Sequence, residues 1–306
     1  MEKRLNRSDL MFSLAFLLML VIAVGAFFYG VKVGTDRTES KYATEEVTEA
    51  VASPQPNAYQ QQDLVSFYHT VFLSYREFQN DWFAAQNKWL ADPTADRASS
   101  MKELAKSAQK KYDAIKVVNV APISPQLKNS QTSYLKSLKL FQESFSALVG
   151  TANEGTADTV LDKINADSFF KEGRTNALEA QKEYYSSMLK WAASINSDID
   201  GDYVGPEVVS LTDWKKMPLI VKNKLASDYL YKQANLTDYL PHDLTARIDQ
   251  FISSGQAGKR KIKSFNSIAE LLTSTEAVRN GDFIGMKTRF YENEQLPQLP
   301  FFFQGK

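Results

Sequence analysis

Apolar side chains recur at alternating spacings of four and three residues along several stretches of this sequence. In the first stretch these positions are Leu64, Tyr68, Val71, Tyr75, Phe78, Trp82, Ala85 and Trp89. This spacing places the side chains along one side of an α-helix, as in a heptad seam. We therefore expect a helix over residues 59–90, ended by Asp92 and Pro93. Phe67, Phe72 and Phe83 widen its apolar face, either for a bundle core or for contact with a partner.

Three further long helices are predicted by the same spacing. They cover residues 94–118, 125–148 and 168–196, with a short helix between the last two. Ser124 and Pro125 begin the 125–148 helix, and Gly150 ends it. Short connections leave consecutive helices as antiparallel neighbours. The sequence therefore predicts an all-α fold in which residues 59–197 form an antiparallel four-helix bundle.

The pattern changes after residue 197. Residues 198–212 contain Gly201, Gly205 and Pro206, which favour a hinge. Residues 213–306 contain shorter apolar patterns and finish in a tail with two prolines and three consecutive phenylalanines. We expect a smaller helical domain here, with an extended tail docked on it.

An apolar run over residues 10–31 contains no charged side chain. Its 22 residues would form a helix of about 33 Å, enough to cross a hydrocarbon core of about 30 Å. The sequence therefore predicts one transmembrane helix after a short tail, residues 1–9, and before a stalk, residues 32–58. The residues expected to contact lipid include Leu10, Phe16, Leu20, Ile22, Phe27, Phe28 and Tyr29.

A cleaved signal peptide is the alternative interpretation of this run. Lys3, Arg4 and Arg7 would be its basic region, and the small residues around Gly25 its cleavage site. The run is longer than such segments usually are, which favours an uncleaved anchor. Three basic residues also follow the run, Lys32, Arg37 and Lys41, so the charge on its two sides is nearly even. Because the first three lie in a tail of nine residues while the later three are spread along a longer stretch, we expect a cytoplasmic N-terminus and a C-terminal body outside the membrane.

Composition excludes several functional classes. The chain has no cysteine, which excludes disulfides, thiolate metal sites and cysteine nucleophiles. Its 36 basic and 36 acidic residues balance, which argues against nucleic acid as a partner. No catalytic motif with a known mechanism is present, and the sequence indicates no cofactor.

Asp198, Asp200 and Asp202 alternate as at the start of a calcium loop, with Glu207 as a further oxygen donor. The pattern then departs from an EF-hand, because Tyr203 and Val209 stand where glycine and glutamate are needed. A structural turn is therefore favoured, and these residues stay weak metal candidates.

A dense basic cluster follows Gly255 and contains Lys259, Arg260, Lys261 and Lys263. It lacks the preceding strand and the final Ser or Thr of a phosphate-binding loop. Either it is a solvated loop, or it contacts an anionic surface such as lipid headgroups or wall polymer.

Gln131, Arg174 and Gln181 occupy seam positions that are otherwise apolar. Such side chains either form a polar layer that fixes helix register or line a ligand pocket inside the bundle.

Taken together, these features favour a single-pass membrane protein whose helical body binds or organises a partner. Its expected contacts are the lipid bilayer and a protein partner or envelope ligand, and the seams also allow pairing between two copies. The alternatives are an anchored enzyme acting on envelope material and a tether that faces the cytoplasm.

Overall fold

The computed structural model describes residues 58–303, and all its named secondary-structure elements are helical. Within these residues, Ser210 and Ser264 also form an isolated antiparallel β-bridge. The all-α prediction is confirmed for these residues. The predicted anchor and most of the predicted stalk lie outside them.

The first predicted helix consists of three consecutive segments. They are α1, Gln61–Phe67, a π-helical turn, Tyr68–Phe72, and α2, Leu73–Ala91. A π turn inserts one extra residue into a helix, which rotates the buried face. Phe67 and Phe72 are therefore both in the core, whereas Tyr68 is half-buried. The alternative in which Phe67 and Phe72 are exposed for a partner is wrong; Phe83 is half-buried.

The next helices are α3, Arg97–Lys116, α4, Pro125–Leu148, α5, Ala157–Ala166, and α6, Ser168–Ile195. Asp96 and Asp167 cap α3 and α6, because each carboxylate accepts a hydrogen bond from a backbone N–H in the first turn. Ser124 lies at the N-cap position of α4, where the sequence predicts the helix to begin, but its side chain makes no capping hydrogen bond. Its hydroxyl instead accepts a hydrogen bond of 3.0 Å from the backbone N–H of Tyr59, which holds the segment before α1 against the start of α4.

These helices pack around an aromatic core as a helical bundle. Ring centroids lie 4.1 Å apart for Tyr75 and Tyr134, and 5.1 Å apart for Trp82 and Phe145. Close approach of α4 and α6 occurs at Gly173, where a Cβ would lie 3.2 Å from the Phe141 ring. Burial of such rings removes roughly 150 to 250 Å² each from water and stabilises the bundle.

The C-terminal part consists of shorter helices. They are α7, Leu211–Trp214, α8, Leu219–Lys232, α9, Pro241–Ser253, α10, Gln256–Lys259, α11, Phe265–Ser274, and α12, Asp282–Phe290. A 3₁₀ turn, Pro300–Phe302, interrupts the tail, which the sequence predicts to be extended throughout. Phe302 is fully buried, so the tail is part of the core.

Asn57–Lys306 forms one compact unit, in which the C-terminal helices contact the bundle directly. The Gln79 amide donates a hydrogen bond of 2.8 Å to the Thr237 carbonyl. The Phe301 ring lies 5.5 Å from that of Tyr68 and 5.6 Å from that of Phe72, measured between centroids. The first long helix therefore packs against both the bundle core and the C-terminal part.

Candidate functional site

The three polar seam residues do not form a common site. Gln131 is 2% exposed, and its amide nitrogen donates to the carbonyls of Val118 (2.7 Å) and Ile115 (3.1 Å). It thereby closes the C-terminal end of α3. Gln181 is buried and Arg174 is half-buried. Within residues 58–303 no hydrogen bond joins any two of Gln131, Arg174 and Gln181.

The acidic loop does not gather its side chains around a common point. Asp198, Asp200, Asp202 and Glu207 are all exposed. Asp202 Oδ1 lies 2.6 Å from Lys190 Nζ, and Asp200 Oδ1 accepts a hydrogen bond of 2.9 Å from the Asp202 backbone. Among the described residues no group of three His, Asp or Glu side chains could hold a metal ion. The geometry is that of a solvent-facing turn.

The basic cluster lies at the end of α10 and in the following loop. Lys259, Arg260, Lys261 and Lys263 are exposed, and none has a carboxylate within 4.0 Å among residues 58–303. Gly255, with φ of 75°, follows α9 in the left-handed conformation that glycine adopts most readily. Gly255 therefore allows the chain to turn between α9 and α10, and the four basic side chains face solvent.

Two open grooves run along opposite sides of α3. The groove between α2 and α3 has a volume of about 820 Å³, and the groove between α3 and α4 has a volume of about 830 Å³. Lys106 and Lys110 line both grooves and so form the ridge between them. The second groove also contains Lys102.

The charge of α3 and α4 is strongly positive in a chain whose net charge is zero. Together they contain three acidic residues, Glu103, Asp113 and Glu143. Their nine basic residues are Arg97, Lys102, Lys106, Lys110, Lys111, Lys116, Lys128, Lys136 and Lys139. The excess of six charges lies on two neighbouring helices, which favours contact with an anionic ligand.

Some of these lysines are already paired. Lys106 Nζ lies 2.9 Å from Glu103 Oε1, and Lys111 pairs with Glu77. Lys102 and Lys110 are exposed and have no carboxylate within 4.0 Å in the described part of the chain. Since the Lys106 pair is exposed on both sides, it is weak and an external anion can compete with it.

A second polar cluster is enclosed where the bundle meets α9. The Tyr185 hydroxyl and His242 Nδ1 lie 2.7 Å apart and share a hydrogen bond. Asp243 accepts hydrogen bonds from the backbone N–H groups of Leu240 (2.9 Å) and Phe283 (3.0 Å). Arg76 donates to the Asp238 carbonyl from one guanidinium nitrogen. These contacts join four separate parts of the sequence.

Burial shifts the titration of this cluster. It lowers the pKa of His242 to about 3, with the Arg76 charge acting in the same direction. Burial raises the pKa of Asp243 to about 6, although backbone hydrogen bonds and Arg76 oppose that shift. His242 is 3% exposed and Asp243 is 1% exposed. Because solvent barely reaches them, these groups connect helices and are not open to a ligand.

Asp249 is the centre of another satisfied cluster. It accepts hydrogen bonds of 2.7 Å from Trp214 Nε1 and from the Tyr291 hydroxyl, and it lies 3.0 Å from Lys222 Nζ. With several donors on one carboxylate, the arrangement holds α7, α8 and α9 together with the end of α12.

Sequence reasoning did not identify the lysine ridge, although its signal was present. Lys102, Lys106 and Lys110 recur every four residues, which places them on one side of a helix. The grooves beside them depend on how α2 and α4 pack against α3, and the spacing of the lysines carries no information on that packing.

The predicted anchor residues lie outside the described part of the chain. They are Leu10, Phe16, Leu20, Ile22, Phe27, Phe28 and Tyr29. Among the helices of residues 58–303, none combines the length and apolar character needed to cross a membrane.

No protein-family model, curated protein or solved structure significantly matches this chain.

Proposed function

We propose that the chain is a single-pass membrane protein whose helical body binds or organises a partner outside the cell membrane. The observation that carries this proposal is the uncharged apolar run of residues 10–31 ahead of a compact helical unit, Asn57–Lys306. The finer architecture is part of the proposal. It consists of an antiparallel four-helix bundle made by α1–α2, α3, α4 and α6, followed by a hinge and a smaller helical domain.

The distribution of polar groups supports binding as the role of the body. His242 and Asp243, whose pKa values are shifted by burial near Arg76, are enclosed by packed helices. The accessible concave surfaces of the described residues include the two grooves along α3, where lysines and serines are accompanied by Asp81, Asp96 and Glu103 in one groove and by Asp113 in the other. Grooves of this kind present charge and hydrogen-bond donors to a ligand.

Sidedness is the first test of the proposal. Alkaline phosphatase, which is active only outside the cytoplasm, and a fluorescent protein that matures only inside it are each fused after Asn57. The proposal predicts phosphatase activity without fluorescence. Fluorescence without phosphatase activity would replace it with a cytoplasm-facing tether.

Membrane retention is tested on the same fusion proteins. An uncleaved anchor predicts that the fusion stays in the membrane fraction after carbonate washing and keeps its N-terminal residues. Release of a product shortened near Gly25 would show a signal peptide instead.

Pairing between copies is tested by light scattering of the purified protein. A seam confined to one bundle predicts the mass of a single chain, 34.5 kDa, after subtraction of detergent. A mass twice as large would show that two copies associate.

A further inference from the structure

We propose that the groove between α3 and α4, with the ridge of Lys102, Lys106 and Lys110, binds a linear anionic polymer that carries a phosphate on each repeat. This inference deepens the proposed binding role and rests on it. The ligand class follows from the charge, the spacing and the shape of the groove.

Charge favours an anion at this groove. Its lining contains three lysines and one carboxylate, that of Asp113. The Asp113 carboxylate already accepts hydrogen bonds from Gln109 and Lys116. Lys102 and Lys110 have no carboxylate within 4.0 Å among residues 58–303, so their ammonium groups are available to phosphate. The groove between α2 and α3 is less suitable, because Asp81, Asp96 and Glu103 line it.

Spacing favours a polymer with regularly placed charges. Lysines four residues apart on a helix are separated by about 6 Å along its axis. Successive phosphates of an extended glycerol phosphate chain are separated by six backbone bonds, about 7 Å at a reach of about 3.5 Å for three bonds. Each lysine of the ridge can therefore meet a successive phosphate.

The opposite wall supplies hydrogen-bond donors. Gln142 and Ser146 of α4 line it, and Val149 lies at its end. The Gln142 oxygen accepts a hydrogen bond of 2.9 Å from Lys139, while its amide nitrogen has no acceptor within the described residues. The amide and the Ser146 hydroxyl can thus contact phosphate or sugar-alcohol oxygens across the groove.

The shape of the groove favours an extended polymer chain over a lipid surface. The groove runs along α3 and α4, where residues within 102–113 and 142–149 line it, and it has a volume of about 830 Å³. A single extended chain fits along such a groove, whereas a flat bilayer contacts the convex outer sides of helices. We therefore assign the groove to a polymer, and a lipid surface is an outcome of the test.

The test measures binding of purified poly(glycerol phosphate) to the full chain in phosphatidylcholine nanodiscs by calorimetry at several salt concentrations. The test variant carries Lys102→Gln, Lys106→Gln and Lys110→Gln. The matched control carries Lys259→Gln, Lys261→Gln and Lys263→Gln, which removes the same charge from the other basic cluster. All six side chains are exposed, and unchanged circular dichroism and melting confirm that both variants are folded.

Three phosphate contacts predict that log K falls with log salt with a slope of about −2, from about −0.7 per phosphate on a single strand. The ridge variant is expected to bind at least tenfold more weakly at about 50 mM salt and to lose most of that slope. The control variant is expected to bind as the unmodified protein does.

Three results would overturn the inference. These are absence of binding by the unmodified protein at low salt, equal weakening in both triple variants, and weakening in the control alone. Loss of polymer binding when the discs contain phosphatidylglycerol would assign the ridge to lipid headgroups. Failure of the predicted membrane anchor can be told apart from failure of polymer binding. Without an anchor the protein would elute separately from the discs, and its binding of the polymer would then be measured in buffer.

Discussion

The His242→Asn variant tests how the enclosed cluster links stability to pH. Asparagine keeps an acceptor near the position of Nδ1 for the Tyr185 hydroxyl but cannot be protonated. In the folded protein burial lowers the pKa of His242 to about 3, below the ordinary value of 6.5. The histidine of the unfolded chain therefore takes up a proton below pH 6.5 while that of the folded protein stays neutral.

The sign and size of the effect follow from this difference. Stability falls as pH decreases from 6.5 towards 3, by about 1.4 kcal/mol for each pH unit. Between pH 7.5 and 4.5 the contribution of His242 amounts to a loss of about 3 kcal/mol. Burial raises the pKa of Asp243 to about 6, so protonation of this carboxyl adds stability as pH falls from 6 towards 4. Comparison with His242→Asn removes the Asp243 contribution, because both proteins contain this residue.

The assay is urea unfolding followed by circular dichroism at pH 7.5, 6 and 4.5. At pH 7.5 the variant is expected to be less stable, since the missing ring leaves a gap beside Phe301. That deficit should shrink by about 3 kcal/mol at pH 4.5. His69→Asn is the matched control, because His69 is the second of the two histidines and is exposed. A deficit that stays constant from pH 7.5 to 4.5 would refute the assignment of His242 as a buried neutral group.

Three further variants test the packing described above, each by the change in free energy of unfolding in urea. Ser137→Ala is expected to lose about 1 to 3 kcal/mol, because it leaves the buried Tyr75 hydroxyl without its partner at 2.8 Å; adding Tyr75→Phe should restore part of this loss. Asp249→Ala is expected to lose about 3 to 5 kcal/mol by leaving the largely buried Lys222 unpaired, and a loss below about 1 kcal/mol would contradict this role. Phe302→Ala is expected to lose about 3 to 5 kcal/mol if the tail is part of the core, whereas a tail that is only loosely docked predicts little change.

The long helices could be predicted from the sequence because their signal is local. Apolar positions spaced by four and three fall on one side of a helix whatever its neighbours are. In α6 the residues Phe170, Tyr184 and Met188 have this spacing, and all three are buried. Ile195 continues the same spacing but is 46% exposed, because it is the final residue of α6.

The π turn and the hydrogen bond of the Ser124 hydroxyl could not be predicted, because each involves a contact with residues distant in the sequence. The π turn places Phe72 against Tyr184 and Phe301, which are far away in the chain. The Ser124 hydroxyl accepts a hydrogen bond from the backbone N–H of Tyr59, 65 residues earlier in the chain. Local preference is overridden where a tertiary contact satisfies the same group.

The candidate site likewise has features that the sequence determines and features that depend on how the helices pack. The sequence alone determined the charge and period of Lys102, Lys106 and Lys110, because both are properties of one helix. It also determined the exposed basic cluster at Lys259. Only the tertiary structure decided that grooves flank the lysine ridge and that Gln131 and His242 are engaged internally. The physical reason is that periodicity specifies which face of a helix is apolar, while the side chains that meet across that face depend on how the helices pack.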